Sequence, residues 1–137
     1  MIHAILQQLR DPVYIDDVTS AFLMAGAAEN PPDRALNVGG PEALPLARIA
    51  EVLTVAARAP KPVLCPFPEE RKRIDIGSYT SDSTRIRATL GWNPATRFAE
   101  GIRSALEFYR AELPNYLRPE DAQPSCPLEE AHAPQPV

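Results

Sequence analysis

Three groups of residues in this sequence have types and spacings that can do chemistry. The first is a run of bases, Arg71-Lys72-Arg73, followed two residues later by Asp75 within Ile74-Asp75-Ile76-Gly77-Ser78-Tyr79. A guanidinium is a planar fork that fits two oxygens of a phosphate, and a nearby carboxylate accepts from hydroxyls such as those of a ribose. With Arg10 near the start of the chain, such a set can read a nucleoside diphosphate, although a short basic run is more often a solvated surface. The second group is Asp16-Asp17. Apolar residues at helical spacing begin right after it, so a helix cap is the expected role rather than acid–base work or Mg²⁺ binding. The third is Trp92, between Gly91 and Asn93-Pro94, which reads as a core anchor past a helix end rather than a stacking platform.

Several kinds of chemistry are absent from the sequence. The six glycines, at 26, 39, 40, 77, 91 and 101, form no dinucleotide-binding or Walker loop and no nucleophile elbow. No tyrosine is followed four residues later by lysine. His3 and His132 have no partner at metal-ligand spacing. Cys65 is expected to be a small buried residue in a strand, and Cys126 an inert thiol. Neither catalytic residues nor metal ligands are expected in this chain.

The elements that must position these groups alternate between short strands and helices. Val13–Ile15, Ala35–Val38 and Pro62–Cys65 are rich in β-type residues and are expected as strands. Asp16 or Asp17 is expected to cap a helix with Val18, Ala21, Phe22 and Ala25 on one face. Asn30-Pro31-Pro32-Asp33 breaks that helix, and Gly39-Gly40-Pro41 stops the second strand. Apolar residues at Leu46, Ile49, Ala50, Leu53 and Ala57 predict a helix over 46–57, with Pro45 suited to its first turn. Asp82 precedes a two-turn helix over 83–90 that ends at Gly91. The last helix is predicted over 98–113, with Phe98, Ile102, Ala105, Leu106 and Tyr109 on one face and Pro114 after its end.

The chain has 137 residues, 45% hydrophobic and 23% charged, with 14 bases against 18 acids. That suits one domain with a core, and the acidic balance argues against nucleic acid as a partner. No apolar run reaches membrane-spanning length, and the N-terminus has no signal-peptide pattern, so a cytoplasmic protein is expected. Two cysteines are too few for a disulfide framework. Six of the 16 prolines lie in residues 114–137, together with one base and four acids. Few bulky apolar residues remain there to offset ordering entropy, so that stretch is expected to be a disordered acidic tail following a folded part over 1–113. Three short strands make a poor sheet by themselves, which suggests part of a larger α/β fold.

Five segments, in order, resemble the extended short-chain dehydrogenases, the NAD-dependent nucleotide-sugar epimerases and dehydratases. Gln8-Leu9-Arg10-Asp11-Pro12-Val13-Tyr14-Ile15-Asp16-Asp17-Val18 resembles their Q-x-R-D-x-x-Y-V-x-D-V segment, and Leu36-Asn37-Val38-Gly39-Gly40 their F-N-V-G-G. Leu46–Ala50 falls where their S-L-x-E-I-A helix starts. Asp75 through Leu90-Gly91-Trp92-Asn93-Pro94 is similar to their D…D-x-S-K-x-x-x-x-L-G-W-x-P, and Gly101-Ile102 with Phe108-Tyr109 to a helix near their C-terminus. The resemblance covers about residues 5–113.

The resemblance implies the C-terminal, substrate-binding part of an extended Rossmann-type dehydrogenase, with few short strands and three to four helices. In the family, bound NAD(P) takes and returns a hydride while a tyrosine serves as acid and base. The glycine loop and Tyr-x-x-x-Lys belong to the N-terminal Rossmann half, so no cofactor is expected on this chain alone. The resemblance implies that Arg10 reaches a nucleotide-sugar pyrophosphate and that Asp75 approaches the ribose. The family's second arginine falls by spacing on Lys72, and by a one-residue slip on Arg71. Tyr79 matches a position near the nucleotide in some relatives, while Asn37 and Asp17 match structural positions. The expected partners are the nucleotide-sugar and either a Rossmann-half partner or a second copy of this chain. A non-catalytic interaction module is the alternative reading.

Overall fold

The structure, a computed structural model, describes residues 6–30, 35–63 and 74–117. The chain divides into two compact units, residues 1–106 and 107–137. Among the described residues the elements are β1 (Leu9–Arg10), α1 (Ile15–Ala27), β2 (Leu44–Pro45), α2 (Leu46–Ala57), α3 (Thr84–Leu90) and α4 (Phe98–Tyr116). β1 and β2 pair antiparallel, with Leu9 opposite Pro45 and Arg10 opposite Leu44. The backbone N–H of Leu46 extends the pairing by donating to the Gln8 carbonyl at 3.0 Å.

This mixed α/β arrangement agrees with the expected class, but the strands lie elsewhere. Tyr14 is extended, neither it nor Val13 joins a ladder, and Ile15 already opens α1. Residues 35–38 keep a strand-like alternation, with Leu36 and Val38 half-buried and Asn37 exposed, and join no ladder. Pro62 and Val63 are exposed coil, while Cys65 lies outside the described residues. β-type side chains favour an extended backbone, but a strand also needs a neighbour to accept its hydrogen bonds, and among the described residues neither 13–14 nor 35–38 joins a ladder.

The helices fall close to expectation. α2 covers 46–57 as predicted, after Pro45. α3 is followed by Gly91 in the left-handed region, at φ 67°, and the Gly91 N–H donates to the Arg87 carbonyl. α4 runs through Pro114 to Tyr116 instead of stopping before the proline, so Pro114 sits in the final turn, at an end where helix boundaries are soft. Within residues 107–117 the rings of Phe108, Tyr109 and Tyr116 meet edge to face, with centroids 5.2–6.2 Å apart. Tyr109 is 49% exposed rather than part of a buried face.

The core of residues 1–106 is small. Among the described residues its buried apolar side chains are Ala21, Ile86 and Trp92, with Leu36, Val38 and Leu90 packed against them. Trp92 is the anchor expected of it. Its indole N–H is shared between the Asp17 carbonyl at 3.0 Å and Ser20 Oγ at 2.9 Å. Asp17 is not the cap of α1, whose N-cap is Tyr14 with no side-chain cap bond. Its buried carboxylate instead accepts from the backbone N–H groups of Ala95 at 3.1 Å and Thr96 at 2.9 Å. Both charge-assisted bonds pin the post-Trp92 loop to α1, a role that local sequence spacing cannot reveal.

Phe22 departs from expectation in the same helix. It is 75% exposed, because the buried line of α1 runs through Asp17 and Ala21, and Phe22 lies a hundred degrees around the helix from Ala21. Phe22 shares its outward face with Ile15, 64% exposed, and Leu23, 68% exposed.

Gly101 lets α4 approach the Tyr14 ring. A Cβ there would stand 2.8 Å from Tyr14 Cδ2 and 3.2 Å from Cγ. Gly101→Ala should therefore destabilise the chain. The helix-propensity gain of about 1 kcal/mol is outweighed by an overpacking cost of about 1–3 kcal/mol, because the ring root cannot swing away. Urea melts check this, and a raised midpoint for the alanine variant would contradict it. Asp17→Asn, which sets a donor against one of the two N–H groups that its buried carboxylate accepts from, should cost about 1.5–3 kcal/mol in the same assay.

Candidate functional site

Four successive residues, Gln8 to Asp11, reach into residues 75–81 in the same chain direction. Gln8 Nε2 donates to Asp75 Oδ2 at 2.5 Å. The Leu9 N–H donates to Ser78 Oγ at 3.0 Å, and its carbonyl accepts from the Tyr79 N–H at 3.0 Å. Arg10 Nη1 donates to the Gly77 carbonyl at 2.7 Å. Asp11 Oδ2 accepts from the Ser81 N–H at 2.7 Å. Successive carbonyls of a strand point to opposite sides, so β1 has β2 on one side and the 77–79 stretch on the other.

This seam brings together three of the five residues expected at the site. Arg10 is half-buried, and its Nη1 also donates to the Leu9 carbonyl at 2.7 Å, so both hydrogens of that nitrogen are used. Among the described residues no hydrogen bond engages its Nε or Nη2, which leaves one edge of a fixed guanidinium for two acceptor oxygens. Asp75 is exposed, and its Oδ1 accepts from the Gly77 N–H at 3.4 Å, a side chain closing a turn on its own backbone. Gly77 has φ 66°, a value that favours glycine. The Tyr79 ring is 54% exposed. Arg71 and Lys72 lie outside the described residues.

Gln8 and Ser78 were not singled out from the sequence. Their roles depend on pairing across nearly seventy residues, and the only signal was their place within the quoted segments. Asn37, read as structural, donates from Nδ2 to the Asp82 carbonyl at 3.3 Å. Gly40 shows why a side chain is excluded behind the seam: a Cβ there would run into the Pro12 carbonyl, and the Gly40 N–H donates to the Asp11 carbonyl at 3.1 Å.

Gly39-Gly40 is the one glycine pair in the sequence, and it does not form a cradle for a dinucleotide. A Cβ on Gly39 would meet the Asp11 carboxylate and the Ser81 side chain, so the pair is closed by this chain's own atoms. These residues do not fit NAD. Among the described residues no cluster of three or more His, Cys, Asp or Glu could hold a metal, and no helix is long and apolar enough to cross a membrane. A separate open groove of about 340 Å³ lies between α2 and the start of α4, lined by Arg48, Glu51, Val52, Val55, Ala56, Ala99 and Arg103. It contains none of the expected site residues, and its Arg48–Glu51 ion pair, at 2.6 Å, is well exposed.

The chain is 34% identical over 101 residues to a UDP-glucose 4-epimerase of Mycolicibacterium smegmatis, a match that covers 74% of this chain and 31% of the relative. Among solved structures it is similar to MoeE5 in complex with UDP-glucuronic acid and NAD, with TM-score 0.66 and 21% identity over 78% of this chain and 35% of that one. It is also similar to Bordetella bronchiseptica WbmG in complex with NAD and UDP, with TM-score 0.62 and 21% identity over 77% and 32%. A third likeness is to the UDP-glucose 4-epimerase of Bifidobacterium longum in complex with NAD+ and UDP, with TM-score 0.64 and 18% identity over 81% and 32%. No family model matches the chain. The chain is thus similar over most of its length to part of the nucleotide-sugar epimerases, and it spans about a third of the length of the relatives it matches.

The end of the seam leads into α3 through Asp82, whose Oδ1 accepts from the Thr84 N–H at 2.9 Å. Hydrogen bonds from the Thr84 side chain and backbone, helped by Arg85 and Arg87, hold the Asp82 carboxyl below its ordinary value of 3.8. A depressed folded value means that the stabilisation is present above the unfolded value and lost as pH falls through the folded one. Asp82→Ala should therefore be less stable than the parent at neutral pH, with the gap closing below about pH 4. Urea melts across pH test this, and a gap that widens on acidification would contradict it.

Proposed function

We propose that this chain supplies the nucleotide-diphosphate grip of an NAD-dependent nucleotide-sugar epimerase or dehydratase and turns over no sugar alone. The carrying observation is the seam, which sets the Arg10 guanidinium and the Asp75 carboxylate on one hydrogen-bonded stretch. The fixed Arg10 fork takes the pyrophosphate and Asp75 accepts from ribose hydroxyls. Arg71, with Lys72 beside it, adds charge against the same anion, and the exposed Tyr79 ring packs against the nucleotide. Solved relatives of the same fold are described with UDP-glucuronic acid or UDP, which supports a uridine nucleotide as the first ligand to try.

In this reading NAD would supply hydride acceptance and return, and none of the residues assigned here would hold it. Calorimetric titration of the full chain with UDP tests the assignment. Arg10→Ala should weaken binding about tenfold or more, the loss of one bond to a charged group, and Arg10→Lys should not restore it, because an ammonium lacks the planar fork. Absence of UDP binding, or an unchanged affinity in Arg10→Ala, would overturn it.

A second reading, an interaction module that pairs with a Rossmann-type partner, is favoured by α1. This helix is buried on its Ala21 side and apolar on its outward side at Ile15, Phe22 and Leu23. A helix that is apolar on opposite faces suits a position between two layers. The chain alone should then self-associate through this face. Sedimentation velocity should show concentration-dependent association that Phe22→Ser with Leu23→Ser reduces. A monomer at all concentrations would contradict this reading.

A further inference from the structure

The nucleotide reading leaves the groove between α2 and the start of α4 unused. Its volume, about 340 Å³, falls within the range of about 300–1,000 Å³ usual for small-ligand sites. Arg48, Val52, Val55 and Ala56 recur at helical spacing and line one wall from α2, while Ala99 and Arg103, one turn apart, line the other from α4. From Arg48 to Ala56 the α2 wall is about 12 Å long. Short valine and alanine side chains leave the space between the helices unfilled, so the floor is apolar and open, and Val55 is 73% exposed. The charges around it are unequal. Arg48 Nη1 donates to Glu51 Oε2 at 2.6 Å, and each offsets the other. Arg103 is exposed, and among the described residues no hydrogen bond or ion pair engages it. The lining therefore carries one unbalanced positive charge, on its α4 side.

We propose that this groove binds an organic monocarboxylate with an unbranched apolar body, such as a medium-chain fatty acid. The carboxylate meets the Arg103 guanidinium, and the chain lies along Val52, Val55, Ala56 and Ala99. The site shares no residue with the seam, so it stands whether or not the seam takes a nucleotide. One net positive charge matches a monoanion. A nucleoside diphosphate carries more charge and offers the floor less apolar surface. Each methylene that the floor takes out of water strengthens binding up to about fourfold. An exposed ion pair contributes about fivefold or less. Chain length thus sets most of the affinity, and Arg103 sets which end of the ligand lies on the α4 side.

The test is an amide-resolved NMR titration of the labelled full chain with octanoate, butyrate and 1-octanol, each kept below its aggregation limit. Octanoate should shift Val52, Val55, Ala99 and Arg103 saturably and leave Leu9, Gly77 and Tyr79 in place. Butyrate, four methylenes shorter, should bind about tenfold or more weakly. The uncharged 1-octanol should bind about twofold to fivefold more weakly than octanoate. Arg103→Gln should bind octanoate and 1-octanol alike. Ala99→Trp, at an exposed position, fills the groove and should abolish the octanoate shifts with little change in the urea midpoint. Absence of groove shifts with octanoate, equal affinity for butyrate, or a preference for octanoate over 1-octanol that survives Arg103→Gln would each overturn the proposal. Octanoate shifts centred on Ile15, Phe22 and Leu23 would overturn it in favour of the outward face of α1. Groove shifts on concentrating the ligand-free chain would overturn it in favour of a second copy as the occupant.

Discussion

The constraint on which the rest depends is the hydrogen-bonded seam between residues 8–11 and residues 75–81. Each of the four residues from Gln8 to Asp11 contributes a bond to a stretch about seventy positions away. Closing so long a loop costs entropy that one exposed hydrogen bond cannot offset, so the bonds must form together. Their alternation follows from strand geometry: backbone groups of Leu9 pair in the plane, while side chains of Gln8, Arg10 and Asp11 reach along it. Candidate ligand-binding groups are thus the same residues that close the chain. Arg10 is both a brace for the Gly77 turn and the one fixed guanidinium of the seam.

Behind the seam, a few contacts hold a small apolar core in register. Trp92 carries most of its volume, and Asp17 ties both the indole N–H, through its carbonyl, and the 95–96 backbone, through its carboxylate, to α1. Gly40 and Gly101 permit close approaches that any side chain would block. The outward face of α1, bearing Ile15, Phe22 and Leu23, remains uncovered in this chain, which spans about a third of its relatives. The 35–38 stretch has the same character as that face: its side chains alternate as in a sheet, with Leu36 and Val38 half-buried, and among the described residues it joins no ladder.

Helices were legible in the sequence because their signals are local. The 46–57 periodicity, the Gly91 stop and the Trp92 anchor each depend on neighbours within a turn or two. Strands were not, since Val13-Tyr14 and Ala35–Val38 have the right side chains and join no ladder among the described residues, while the observed pair at Leu9–Arg10 and Leu44–Pro45 is too short to leave a pattern. Phe22 was misplaced because a helix with two apolar faces has no single moment to read. Of the site, Arg10, Asp75 and Tyr79 are gathered at the seam, Arg71 and Lys72 lie outside the described residues, and Gln8 was missed because its partner is distant in sequence. Asp17, expected as a cap, acts at long range for the same reason.

The central claim is that one seam both closes the chain and receives the nucleotide. An amide-resolved NMR titration of the isotopically labelled chain with UDP tests it most directly. The account predicts shifts concentrated at Leu9, Arg10, Gly77, Ser78 and Tyr79, with little change along Arg48–Val55 at the α2 groove. Shifts centred on that groove, or a spectrum indifferent to UDP, would contradict it.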